Sequence, residues 1–115
     1  MGIRDDLWRE DRGLALLTDT LFQKSFTTAT NSLGTVGTTS AVLLPANTSR
    51  KYASFVNDSD TKIYLGLGNP AVSGKGIPLV ANGGSFEIDW TNAYTGTISA
   101  ITTAANKVMS VTEGW

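Results

Sequence analysis

The chain lacks the residues on which most catalytic and metal sites depend. Its 115 residues include neither cysteine nor histidine. Without a thiol or an imidazole, thiol nucleophiles, Ser-His-Asp arrangements and the usual zinc sites are excluded. Disulfides are excluded as well, so a domain of this size has to be stabilised by one hydrophobic core. The composition therefore predicts a protein that is not an enzyme and holds no cofactor or metal.

Charge is also scarce, and neither sign dominates. Nine Lys and Arg residues face ten Asp and Glu residues, a formal net charge of −1. Such a chain has no basic field to attract phosphate backbones or anionic lipids, and no apolar run approaches the length that spans a bilayer. We expect no nucleic-acid partner and no membrane partner. The charged N-terminus does not fit a secretory signal, which predicts a product made in the cytoplasm.

The N-terminal segment predicts an amphipathic helix over residues 5–23. Asp5 or Asp6 suits its N-cap, and apolar residues follow at helical spacing. The apolar stripe comprises Leu7, Trp8, Leu14, Leu17, Leu21 and Phe22. Three of its leucines lie at heptad spacing, which is compatible with a three-helix bundle and hence with a trimer. The stripe predicts contact with another surface.

Residues 27–40 carry six threonines, two glycines and no charge. This composition is typical of an extended arm or a weakly specified strand. Leu33 and Val36 are its only sizeable apolar residues. We therefore divide the chain into residues 1–40, an N-terminal helix and extended attachment arm, and residues 41–115, a separate β-domain.

From residue 41 onward, short apolar runs alternate with turn residues every eight to twelve positions. This pattern predicts a mainly β protein, an antiparallel β-sandwich or jelly-roll-like barrel of about seven to eight strands. The predicted strands cover residues 41–44, 51–57, 62–67, 77–80, 85–90, 97–103 and 107–113. An eighth strand would come from the arm.

Two acidic clusters could carry chemistry, and each has a structural explanation. Glu87 and Asp89 lie two residues apart on one predicted strand, so their carboxylates share a face and could serve glycoside hydrolysis. A solvated sheet face explains them better. Asn57, Asp58 and Asp60 could offer oxygens to Ca²⁺ but lack the spacing of an EF-hand loop, and a turn between strands explains them better.

Aromatic residues outside the predicted core suggest contacts with other molecules. Trp8 and Trp115 could anchor an interface or pack back onto the sandwich, and both interpretations stay open. Tyr64, Trp90 and Tyr94 could instead bind glycans from loops at one end of the sandwich.

The sequence from residue 43 to residue 113 resembles a β-domain of small structural proteins of tailed bacteriophages. The motifs that carry the resemblance are Arg50-Lys51, Asn57 to Asp60, Ile63-Tyr64-Leu65-Gly66, Gly76 to Leu79, Asn82-Gly83-Gly84-Ser85-Phe86, Gly96 to Ile101 and Val111-Thr112-Glu113-Gly114. The resemblance implies a virion protein, either a capsid decoration or cement protein or a tail-tip, baseplate or fibre module. It implies a symmetric oligomer and brings no catalytic residues.

We expect this protein to attach through its first 40 residues to copies of itself and to other virion proteins, such as the major capsid or tail proteins. An unpartnered apolar stripe and an uncharged arm gain stability by lying against neighbouring subunits. The predicted interface residues are Leu7, Trp8, Leu14, Leu17, Leu21, Phe22, Leu33, Val36 and Trp115.

Overall fold

The computed structural model describes residues 25–115, which form eight β-strands and contain no helix. The predicted helix over residues 5–23 lies outside the described residues. The strands are β1 (Ala29–Val36), β2 (Ala41–Leu44), β3 (Tyr52–Asn57), β4 (Ile63–Leu67), β5 (Ile77–Leu79), β6 (Ser85–Ile88), β7 (Ile98–Thr102) and β8 (Lys107–Gly114).

The strands form two antiparallel sheets of four strands each. Sheet A has the order β1-β8-β3-β6 and sheet B the order β2-β7-β4-β5. The prediction of a mainly β sandwich is therefore confirmed. The pairs β1–β8, β2–β7, β3–β6 and β4–β5 are nested, as in a long hairpin rolled into two sheets, which is the connectivity of a jelly roll.

Alternation of apolar and polar residues places the core between the sheets. In β3 the side chains of Ala53 and Phe55 are fully buried, and in β4 those of Ile63 and Leu65 are. Their neighbours in each strand point to the outer faces, as a side-chain period of two requires. The buried cluster comprises Val36, Leu44, Ala53, Phe55, Ile63, Leu65, Leu79, Ile88, Ile98, Ala100, Met109 and Val111.

Residues 29–36 of the predicted arm form a strand of the sandwich. Each residue of β1 pairs with β8 in one unbroken register, from Ala29 opposite Gly114 to Val36 opposite Lys107. The side chain of Val36 is fully buried in the core. β1 therefore belongs to sheet A, and residue 40 does not mark the start of the sandwich.

Each end of the sandwich contains a buried polar residue, Arg50 at one end and Asn57 at the other. We call these ends the Arg50 pole, where β1 and β3 begin and β8 ends, and the Asn57 pole, where β3 ends and β8 begins. The connections β2–β3, β4–β5 and β6–β7 lie at the Arg50 pole, as do residues 26–28. The other four connections lie at the Asn57 pole.

Candidate assembly surface

Arg50 ties together the loops at its pole. Its side chain is buried, and its Nε donates to Glu113 Oε2 at 2.7 Å. The remaining guanidinium nitrogens donate to the backbone oxygens of Tyr94 (3.1 Å), Gly96 (2.9 Å) and Pro45 (2.7 Å). The planar fork of an arginine suits several acceptors at once. The network fixes the β2–β3 and β6–β7 connections to the end of β8.

The chain enters the sandwich at a fixed point of the Arg50 pole. The ring of Phe26 stacks on that of Tyr52, with centroids 5.3 Å apart and an interplanar angle of 16°. A Cβ on Gly114 would lie 2.5 Å from the Phe26 ring, so the ring sits directly over the glycine backbone. The N–H groups of Thr27 and Thr28 both donate to the oxygen of Trp115, at 3.0 and 2.9 Å. We call Phe26, Thr27, Thr28 and their partners the entry clamp.

β1 is an edge strand, and on the side away from β8 its backbone N–H and C=O groups have no partner strand within residues 25–115. Thr28 and Trp115 exchange two backbone hydrogen bonds. Because such bonds alternate along an antiparallel pair, every second residue of β1 turns its N–H and C=O away from β8. These residues are Ala29, Asn31, Leu33 and Thr35. Leu33 is 73% exposed, and with Asn31 it borders a shallow depression beside Ser110 and Thr112 of β8.

The structure separates the predicted interface residues into three groups. Leu33 is exposed on β1, and Trp115 is partly buried in the entry clamp. Val36 is a core residue, so its assignment to an interface is corrected: as an inward position of β1 it faces the other sheet. The others lie outside the described residues, namely Leu7, Trp8, Leu14, Leu17, Leu21 and Phe22.

Glu87 and Asp89 do not share a strand, because β6 ends at Ile88. Asp89 follows β6 and accepts hydrogen bonds from the hydroxyl and the N–H of Thr91, the latter at 2.8 Å. These two bonds, the hydroxyl first, lower the pKa of Asp89. A general acid in glycoside hydrolysis needs a raised pKa instead. Because its carboxylate accepts the N–H of Thr91 just after β6, Asp89 is a turn residue.

The cluster from Asn57 to Asp60 is a turn rather than a metal site. Asn57 is fully buried, and its Nδ2 donates to the oxygens of Thr61 (2.8 Å) and Leu79 (3.0 Å). Its Oδ1 accepts from the N–H of Ser59 at 3.1 Å. Asp60 pairs with Lys107 at 2.6 Å. Within residues 25–115, no group of three or more acidic residues could hold a metal ion.

The aromatic residues proposed for glycan binding do not share one loop. Tyr64 lies within β4, beneath the ammonium of Lys62 at 5.9 Å, so its placement in a loop is corrected. Tyr94 is partly buried against the core. Trp90 follows β6 at the Arg50 pole and is 53% exposed. Residues 25–115 contain no helix, and hence none that could span a membrane.

Comparison with known proteins gives a likeness in fold. No family model and no curated protein matches the sequence. Among solved structures, the chain is similar to one described as "Bacillus endospore appendages form a novel family of disulfide-linked pili", with a TM-score of 0.50 and 18% identity over 76% of this chain and 84% of that one. At this identity the likeness shows the β-sandwich fold alone. The disulfides of that description have no counterpart in a chain without cysteine.

Proposed function

We propose that the protein is a non-enzymatic structural subunit of a larger particle. The particle that the sequence resemblance suggests is the virion of a tailed bacteriophage, where the chain would act as a capsid decoration or cement protein. The observation that carries the proposal is the entry clamp. It holds residues 26–28 against the end of β8, so a segment attached before them would be anchored to the folded sandwich at the Arg50 pole.

The segment before the clamp supplies the attachment in this proposal. Leu7, Leu14 and Leu21 would contact copies of the chain and neighbouring virion proteins, such as the major capsid or tail proteins. The structure whose description names pili shares the fold, and self-association of this chain is part of our proposal. Neither nucleic acid nor a membrane has a role here.

The proposal is tested by deleting residues 1–24 and comparing the product with the full chain. The shortened chain keeps β1 and the whole core, so we expect a sandwich that unfolds cooperatively but is missing from purified particles, as judged by mass spectrometry and electron microscopy. Deleting residues 1–40 is the informative contrast. It also removes Val36 and the strand that covers β8, so it should prevent folding. Full incorporation of the chain without residues 1–24 would refute attachment through this segment.

A second candidate function rests on Trp90. An exposed indole can stack on a sugar ring, and this one lies in a loop held by Asp89 and Asn92. In this alternative the protein is a tail-tip, baseplate or fibre module that binds host-surface glycans. Because Trp90 and the entry clamp share the Arg50 pole, a chain attached there would turn Trp90 towards its own particle. Glycan-array binding that is lost in Trp90→Ala would favour the alternative.

A further inference from the structure

The edge of β1 differs from the other sheet edges in residues 25–115. Sheet A ends in β1 and β6, and sheet B ends in β2 and β5. An edge strand presents unpaired backbone N–H and C=O groups, which can pair with a strand of another molecule. Soluble proteins commonly block such edges with bulges, prolines, charges or covering groups. Three of these four edges are blocked.

The β6 edge is covered by one side chain. Asn92 Nδ2 donates to the oxygen of Glu87 at 3.0 Å, and Asn92 Oδ1 accepts from the N–H of Asp89 at 2.7 Å. The amide thus satisfies an acceptor and a donor two residues apart, as a paired strand would. The carboxylate of Glu87 adds a charge to the same edge. A further strand cannot add here without displacing Asn92.

The two edges of sheet B are interrupted in their backbones. β5 has three residues, and its central residue is Pro78, which has no N–H to donate. β2 has four residues, and its register with β7 shifts between Val42 and Leu44. Such a bulge bends the strand away from regular pairing. Neither edge offers a ladder of useful length.

β1 has none of these features. It has eight residues with no charge and no proline, and its register with β8 is regular throughout. Its free donors and acceptors belong to four residues at every second position, namely Ala29, Asn31, Leu33 and Thr35. Leu33 is the most exposed large apolar residue among those described. β1 is therefore an open edge of full strand length.

We propose that β1 pairs antiparallel with β1 of a second copy of this chain, about a two-fold axis that passes at Leu33. The proposal rests on the proposed function, to which it adds the contact between copies. A second copy is the partner because a two-fold axis makes antiparallel pairing of identical strands self-complementary. Two uncharged strands also meet without like-charge repulsion. Sheet A of each copy would then join one continuous eight-stranded sheet.

The position of the axis follows from Leu33 and from the free backbone groups. Centring the pair there places Leu33 directly opposite Leu33 of the second copy, so that the two exposed side chains cover each other. Asn31 then lies opposite Thr35 of the second copy. A shift by two residues would set each leucine against a polar side chain. The proposed register thus predicts which residues approach.

The first experiment measures the mass of the full chain by sedimentation over a range of concentrations. We expect a concentration-dependent dimer. Leu33→Lys should raise its dissociation constant by at least about ten-fold, because two charges would face each other at the axis. Val80→Lys is the matched control, since Val80 is 60% exposed at the Asn57 pole, and it should leave the dimer unchanged. Thermal unfolding checks that both variants stay folded.

The second experiment tests the register with cysteines introduced into a chain that has none. In the proposed pairing, Asn31→Cys in one copy faces Thr35→Cys in the other, with Cα atoms about 5.5 Å apart, within reach of a disulfide. Two Thr35→Cys copies would lie roughly 14 Å apart. We expect the mixture of the two variants to crosslink on mild oxidation at a much higher yield than Thr35→Cys alone.

Three results would overturn the pairing: a monomer at every concentration, a dimer unaffected by Leu33→Lys, or preferred crosslinking of Thr35→Cys with itself. These results are separable from the proposed function. A chain that is incorporated into particles but stays monomeric in solution contradicts only the β1 pairing. A chain that dimerises through Leu33 but is absent from particles contradicts only the virion role.

Discussion

At the scale of single residues, the sandwich depends on a few buried polar side chains. In residues 25–115, every buried side-chain nitrogen and oxygen has a hydrogen-bond partner. Arg50 and Asn57 lie at opposite poles, and the side chain of each donates to backbone oxygens of two loops or strand ends. Buried groups of this kind contribute little net free energy when paired but are costly when a partner is lost.

Arg50→Ala is expected to lower the free energy of unfolding by about 3–5 kcal/mol, because Glu113 would keep a buried carboxylate without its partner. Urea denaturation measures the change. Lys75→Ala, in an exposed loop, is the control and should change stability by no more than about 0.5 kcal/mol. Replacing both partners, as Arg50→Met with Glu113→Leu, should recover part of the loss. A fully stable Arg50→Ala protein would contradict this account of the Arg50 pole.

The surface pair Asp60–Lys107 gives a prediction for pH. The hydrogen bond from Lys107, followed by that from the hydroxyl of Thr61, lowers the pKa of Asp60 below its ordinary value of 3.8. Because the pKa is lower in the folded state, the pair stabilises the fold above pH 3.8, and this contribution disappears as the pH falls through the lowered pKa. Lys107→Met should raise the pKa of Asp60, as an NMR titration would show. Lys62→Met should leave it unchanged.

The sequence did not reveal which residues would pair in the buried networks of Arg50 and Asn57. Arg50 stands out as a charge after a long stretch with few charges, but Glu113 lies 63 residues away. Only the pairing of β3 with β8 brings the two together. Asn57 was placed correctly where a strand gives way to a turn, yet its bond to Leu79 depends on the approach of β5. Partners distant in sequence cannot be assigned before the strand order is known.

At the scale of elements, alternation predicted six of the strands to within one residue of each end. It was less successful where one side chain decides the outcome. The predicted strand over residues 85–90 ends at Ile88, because Asp89 and Asn92 form a hydrogen-bonded turn. Ser99 lies between the core residues Ile98 and Ala100, on the outer face of β7, and yet it is buried. Ala71 of the β4–β5 loop packs on the same outer face, against Gly66, which pairs with Ser99.

β1 was the hardest strand to assign, for a physical reason. Its inward positions are occupied by Thr30, Ser32 and Gly34, and only Val36 offers an apolar side chain to the core. The hydrophobic pattern that identifies other strands is therefore missing. The strand is held by its backbone bonds to β8 instead, and no local sequence signal reports those.

The entry clamp can be tested by changing its glycine. Gly114→Ala would place a methyl group where the Phe26 ring lies, so we expect loss of the Phe26–Tyr52 stack and a decrease of about 0.5–1.5 kcal/mol in the free energy of unfolding. Ring–ring contacts in NMR spectra would report the stack directly. Gly37→Ala is the control, because its Cβ would meet no atom within 4 Å, and stability should be unchanged or slightly raised. Retention of the stack in Gly114→Ala would contradict the clamp.

At the scale of the whole molecule, the nested strand order joins distant parts of the chain. β1 pairs with β8, so Ala29 lies opposite Gly114, and most of the sheet contacts connect residues far apart in sequence. Loops of this length have to close before their contacts can form, which slows folding. The sequence indicated the fold class but not this strand order. Turn residues show where one strand ends and the next begins, but they do not specify which strands pair in a sheet.

Refolding is therefore expected on the scale of milliseconds to seconds rather than microseconds. Stopped-flow dilution from urea, followed by tryptophan fluorescence, measures the rate. A chain truncated after β7, and so without β8, should show no cooperative folding transition, because β8 lies between β1 and β3 in sheet A. Refolding within microseconds would mean that local contacts dominate, contrary to the nested pairing.

The placement of the entry clamp at one pole has a practical consequence for the other. The turns at Asn82-Gly83 and at residues 104–106 lie at the Asn57 pole, at the far end of the strands from Phe26. Small and polar turns of this kind tolerate inserted peptides. A foreign epitope inserted between Ala104 and Ala105 would thus be carried at the pole opposite the entry clamp. The chain could then serve as a display scaffold, with the inserted peptide and the entry clamp at opposite ends of the sandwich.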